Sequence, residues 1–170
     1  NAAVDHLALR AAASGLNVVR IGVGARISGA VQRLTLEWRI LNGPLEGVIR
    51  RLMRDASRAT GEEGIELRDA IRAEWAHAKR EVLASADVLA MTLGTLHTRG
   101  TTLPNPRTAV VDEASQVIEP ALWLLASRCK RLILAGDPHQ LGPVVISRDP
   151  VLEKSLLQRL VEAKFQFPML

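Results

Sequence analysis

Two short apolar runs, Ala109-Val110-Val111 and Leu132-Ile133-Leu134-Ala135, constrain this 170-residue chain more than any other feature. Each run ends on acid: Asp112-Glu113 follows the first, Gly136-Asp137 the second. Both are too short for helices and do not alternate with polar residues, the pattern of a strand buried on both faces of a parallel sheet. Between them, Glu119 and Pro120 open a helical piece that Ala121 to Ala126 continue, since a carboxylate and a fixed φ both suit a helix start. Strand, helix and strand in about thirty residues make a βαβ unit. The fold class that follows is α/β. In such sheets ligands bind outside the carboxyl ends of the strands, where Asp112, Glu113 and Asp137 all fall.

A carboxylate at such a strand end suits a hydrated magnesium ion, which keeps most of its waters and takes few protein ligands. The neighbouring Glu113 is then placed to orient or deprotonate an attacking water. Asp112-Glu113-Ala114-Ser115-Gln116 and Gly136-Asp137-Pro138-His139-Gln140-Leu141-Gly142-Pro143-Val144-Val145 resemble motifs II and III of superfamily 1 helicases. The nearest look is the up-frameshift type, the regulator-of-nonsense-transcripts group of nonsense-mediated decay, with the immunoglobulin-mu-binding helicases close to it. The resemblance implies a partial RecA-like first motor domain over residues 1–170, with ATP and Mg2+ as cofactors. It implies that Asp112 holds the metal and that Glu113 is the catalytic base. Asp112, Asp137 and Gln140 would bind the nucleotide, with Gln140 sensing the γ-phosphate during catalysis, and Pro143 would lie toward the nucleic acid.

Upstream, Val4, Leu7, Ala8 and Ala11 keep helical spacing and Gly15 is a stop, after which Asn17 to Gly22 read as a strand. Asn1-Ala2-Ala3-Val4-Asp5-His6-Leu7 with Val18-Val19-Arg20 resembles the family's motif Ia, which touches the nucleic-acid backbone, and Asn1 is the residue it carries over. His6 has no histidine or cysteine at ligand spacing and reads as a solvent-facing helix residue. Gly22-Val23-Gly24 is not a phosphate loop: Ile27 stands where the dinucleotide fingerprint wants glycine, and no Gly-Lys-Ser/Thr occurs in the chain.

Residues 28–85 turn wholly helical. Val31, Leu34, Trp38 and Leu41 form one apolar stripe; Leu45, Val48, Ile49, Leu52, Met53 and Ala56 a second; Leu67, Ile71, Trp75, Ala78 and Val82 a third. Trp38 and Trp75 lie on the stripes and read as core. Three amphipathic helices exceed what a βα connection needs, so the segment reads as an all-helical insertion, where the family carries a helical stalk. Residues 1–60 hold nine arginines against four acids, and Arg50, Arg51, Arg54 and Arg58 lie opposite the second stripe. A positive half points toward a phosphate-bearing partner. Asp87 to Met91 is another strand, leading to Thr92-Leu93-Gly94-Thr95, whose small residues let a phosphate approach the backbone closely. Its position resembles motif Ib, so Thr92, Gly94 and Thr95 join Asn1, Pro143, Arg50, Arg51 and Arg54 as nucleic-acid contacts. Asp149-Pro150 signals a further helix start.

Cys129 is the single cysteine, so neither an intramolecular disulfide nor a thiolate metal cluster forms. No apolar run approaches the roughly 20 residues that cross a bilayer, and no secretory signal is visible. These features point to an intracellular protein of cytoplasm or nucleus, without a membrane partner. The first and last residues read as cuts through a longer protein. The function implied by the resemblance is ATP-driven translocation on single-stranded RNA or DNA, RNA by preference, together with a second RecA-like domain, the fragment alone being inactive. Two other readings stay open: a P-loop ATPase that remodels without unwinding, and a degenerate, non-catalytic nucleic-acid-binding module.

Overall fold

Parallel strand pairing organises the chain twice. In the computed structural model residues 1–104 form one unit and residues 105–170 another, and the structure describes residues 2–22, 29–147 and 152–165. Asn1, the Val23 to Ile27 stretch and the Asp149-Pro150 helix start lie outside the described residues.

In the first unit, helix α1 (Ala2–Ala13) ends as its glycine suggests. Gly15 takes φ +86°, its N–H reaches Ala12 O at 3.0 Å, and the Leu16 N–H reaches Ala11 O at 3.3 Å. These two bonds satisfy carbonyls that the helix itself leaves open. Strand β1 (Val18–Arg20) pairs in parallel with β2 (Val88–Ala90), Val18 opposite Val88. Alternation along β1 sends Val19 to one face, where it joins Ile21 and helical residues Leu36, Ile40, Ile49, Ala78 and Leu83 in one core. Those helices are α3 (Leu36–Leu41), α4 (Glu46–Ala56) and α5 (Gly61–Ala84). Helix α1 lies along both strands, on the face toward which Arg20 reaches Asp5.

The first helical stripe departs from expectation. It is not one helix but two, α2 (Gly29–Gln32) and α3, broken at residues 33–35. There Thr35 bridges Arg20 of β1, the Arg20 N–H donates to Leu34 O at 2.8 Å, and Thr35 Oγ1 caps α3 by accepting from Trp38 N. An edge of β1 needs a partner for its backbone, and a broken helix supplies one. Trp75 packs against the core as expected, and Trp38 is half-buried. Beyond β2, residues 92–95 do not form a plain loop. Thr92 caps a short helix, α6 (Leu93–Arg99), which takes in His97 and Arg99.

In the second unit, β3 (Thr108–Val111), α7 (Glu119–Ala126) and β4 (Arg131–Leu134) form the βαβ unit, with β3 and β4 parallel and Thr108 opposite Arg131. Pro120 stands at the start of α7 as expected. The strands are not buried on both faces, however. Val110 is 66% exposed and Ile133 45%, because the pleat turns alternate residues outward and the described residues cover one face only. Helix α8 (Leu156–Glu162) starts at Ser155, whose side chain accepts from Gln158 N at 3.1 Å, and buries Leu156 and Leu157. Arg159 ties it to the start of α7 through Glu119, at 2.9 Å. The architecture is an α/β one of two small parallel sheets flanked by helices, consistent with a partial RecA-like fold. No helix among the described residues is long and apolar enough to cross a membrane.

Candidate functional site

The acids of the second unit leave the sheet together. Pairing of β3 with β4 continues one step past the strands, Ala135 N donating to Val111 O and Ala114 N to Ala135 O, each at 2.8 Å. Asp112-Glu113 and Gly136-Asp137 therefore emerge from adjacent strands at the same carboxyl edge. Gly136 makes the close approach possible. A methyl group there would stand 3.0 Å from Ala114 N, 3.1 Å from Ser115 N and 3.2 Å from Leu157 Cδ2.

Glu113 is held in an unusual way. Its backbone is left-handed, φ 54° and ψ 40°, at the entry to a 3-10 turn over Ala114–Gln116. For a residue with a Cβ this conformation costs about 1–3 kcal/mol, and such strain gathers at functional sites. The Glu113 N–H donates to Asp112 Oδ1 at 3.1 Å, and Gln116 Nε2 donates to Glu113 Oε2 at 3.1 Å. Both acids are exposed, so their carboxylates face solvent while their own neighbours orient them. Gln116 is a functional residue of this site that the sequence reading did not single out. Its signal was its place three residues after Glu113 in the same motif string. Behind the acids, the Ser115 hydroxyl is buried without a hydrogen-bond partner.

Asp137 turns inward on its own loop. Its Oδ1 accepts from His139 N at 2.9 Å and its Oδ2 from Gln140 Nε2 at 3.3 Å. The carboxylate thereby closes the turn that presents Gln140. Pro143 is buried, whereas Leu141, Val144 and Ile146 around it are almost fully exposed. Among the described residues no three histidines, cysteines or acids gather as a metal cage. Asp112 fits a largely hydrated cation instead, since magnesium takes one or two carboxylates and keeps its waters.

In the first unit, Thr92, Gly94 and Thr95 sit together where β2 ends. Thr95 N donates to Thr92 Oγ1 at 3.2 Å, and the two hydroxyls lie 3.0 Å apart. Of the three arginines on α4, Arg50 is paired with Glu46 at 2.7 Å, while Arg51 and Arg54 are exposed and form no ion pair among the described residues.

Comparison with known proteins adds to this geometry. A family model described as an AAA domain matches residues 46–148. The chain is 33% identical over 167 residues to ATP-dependent helicase upf1 of Schizosaccharomyces pombe, covering 95% of this chain and 18% of that protein. It is 35% identical over 172 residues to regulator of nonsense transcripts 1 of Caenorhabditis elegans, covering 95% and 15%. It is 32% identical over 179 residues to DNA polymerase alpha-associated DNA helicase A of Schizosaccharomyces pombe, covering 96% and 27%. The chain thus spans less than a third of each of these relatives.

Proposed function

This chain belongs to the AAA domain family, its similar relatives being helicases of the up-frameshift type, and on that premise we propose that it is part of a magnesium-dependent ATPase that translocates on single-stranded RNA. The single observation that carries this reading is Glu113: a strained, exposed carboxylate two residues past the end of β3, oriented by Gln116 and flanked by Asp112.

The geometry supports the following division of labour. Asp112 has one oxygen engaged by the Glu113 N–H and would hold the cation through the other. When bound, magnesium would neutralise charge on the β- and γ-phosphates. Glu113 would accept the proton of the attacking water, with Gln116 fixing the rotamer that presents its carboxylate. Asp137 would act by shaping the loop that carries Gln140, and Gln140 would exchange its bond to Asp137 for one to the terminal phosphate. Residues 28–85 serve as a helical insertion in the motor domain. Its arginines Arg51 and Arg54, with Arg50 released from Glu46, would contact phosphates independently of sequence. Thr92, Gly94 and Thr95 would meet the strand's backbone. A second RecA-like domain, outside this chain, would complete the nucleotide site.

The test is Glu113→Gln in the intact protein that carries this chain. The amide keeps the shape and loses the base, so nucleotide affinity should hold while steady-state ATPase falls by about 10²–10⁴-fold. Retention of more than about a tenth of the rate removes Glu113 from the role. Oligouridylate against oligothymidylate stimulation of the wild type separates RNA from DNA as the track.

A further inference from the structure

Among the described residues of the first unit, one charged side chain is almost completely buried. Arg20, at the end of β1, is 1% exposed. Burial of a guanidinium is costly unless it is paired and hydrogen-bonded, and removing one partner leaves a charge without compensation. The pairing here is specific. Arg20 Nε donates to Asp5 Oδ1 at 2.8 Å, and another of its nitrogens, Nη1, donates to Ile21 O. Asp5 lies on α1, only a turn from the helix start, and its side chain is 19% exposed.

The guanidinium also lies beside Gly22, where the exit of β1 approaches the residues that follow β2. Gly22 takes φ +107°, and a methyl group on it would stand 2.7 Å from Thr95 Oγ1, 3.3 Å from Thr95 Cγ2 and 3.4 Å from Arg20 Nη1. Thr95 in turn contacts Thr92 through both its hydroxyl and its N–H. Arg20 therefore joins α1 to the exit of β1, and Gly22 at that exit lies between the guanidinium and Thr95 of the cap after β2. A planar fork with several fixed donors can hold a carboxylate and a backbone carbonyl in one register, which an ammonium does less rigidly.

We propose that the buried Asp5–Arg20 pair is a positioning device for strand binding: it fixes the exits of β1 and β2 in the geometry that receives the nucleic-acid backbone. The inference rests on the nucleic-acid reading given above. Neither Asp5 nor Arg20 need touch the ligand, since both act through Gly22 and Thr95. Their effect belongs to affinity for the strand and to stimulation of ATPase by it, not to the nucleotide.

The experiment uses the intact protein, a fluorescein-labelled oligouridylate and ATP. Asp5→Asn keeps the shape of the side chain and removes its charge, and its partial exposure favours a folded variant. Strand affinity should weaken about tenfold, with stimulated ATPase reduced alike, a size ordinary for coupling between distant groups. ATP affinity and unstimulated ATPase should stay within about twofold of wild type, a margin well below that coupling. Arg20→Gln should act in the same direction, and the double variant should lose no more than the stronger single one, because the two residues form one unit. A lower melting temperature with unchanged strand affinity would reduce the pair to a structural contact and overturn the proposal. Equal losses of ATP and strand binding would overturn it as well. Wild-type protein that binds no oligouridylate would instead sink the nucleic-acid reading, which keeps the two failures apart.

Discussion

The two parallel sheets of this chain are both built from short strands rich in aliphatic residues, yet they handle constraint in opposite ways. In the first unit β1 is buried along its whole length, and the described residues with positive φ are all glycines: Gly15, Gly22 and Gly61. In the second unit one face of β3 and β4 is open at Val110 and Ile133, and the positive-φ residues are Glu113 and Lys164. The first unit pays for its tight turns with the residue type that tolerates them. The second keeps strained side chains, one of them directly after the strand that ends in acid. The first unit thus places its positive-φ positions on glycines, while one of the two strained side chains of the second, Glu113, lies where the proposed chemistry does.

The comparison breaks most visibly at the glycines. Gly22→Ala meets two penalties at once, a left-handed backbone and a methyl group 2.7 Å from Thr95 Oγ1. Gly136→Ala meets one, a 3.0–3.2 Å crowding against Ala114, Ser115 and Leu157. Overpacking alone costs typically about 1–3 kcal/mol, and a left-handed non-glycine adds about 1–2 kcal/mol. Chemical denaturation of the two variants should therefore rank Gly22→Ala as clearly the more destabilising. Equal losses would mean that the exit of β1 relaxes freely.

The strand faces give the next contrast. Val19 is fully buried within the helical core, and Val110 of β3 is two-thirds exposed. Val19→Ala should cost about 2 kcal/mol or more, by loss of burial and creation of a cavity. Val110→Ala should stay within about 0.5 kcal/mol, as surface changes do. If Val110→Ala proves as costly in the intact protein, that face of the sheet is covered there by something other than the described residues.

These particulars also mark what the sequence could tell. Aliphatic runs at residues 109–111 and 132–135, with a Pro-initiated helix between them, suffice for the βαβ unit because strand and helix periods are local. The motif strings likewise brought Asp112 next to Glu113 and Asp137 next to Gln140. The break at residues 33–35 was not legible, because it answers a demand from β1, a strand some fifteen residues earlier in the chain by number. Nor was the exposure of Val110: an aliphatic run looks the same whether one face or two are covered. Arg20 looked like one arginine of a basic half until α1 brought Asp5 to it. The left-handed turn at Glu113 leaves no mark in composition, since its sequence offers no glycine there.

The smallest effect expected has the opposite sign, and it separates strain kept for function from strain that is incidental. Lys164 ends α8 at φ 57°, with its N–H on Val161 O at 2.9 Å and the Phe165 N–H on Leu160 O at 3.0 Å, a helix ending at which glycine is the usual residue. Lys164→Gly should stabilise the protein by up to about 1 kcal/mol, because glycine enters this region without a Cβ penalty. ATPase should be unaffected. Glu113→Gly relieves the same kind of strain and should stabilise by a similar small amount, read as a higher denaturation midpoint. Its turnover, however, should collapse with the loss of the carboxylate. Stability rising in both variants while activity falls in one alone is what strain retained for a catalytic side chain predicts. If Glu113→Gly destabilises, the side-chain bond from Gln116 outweighs the backbone cost, and the left-handed turn is held by that local hydrogen bond rather than kept for the position of its carboxylate.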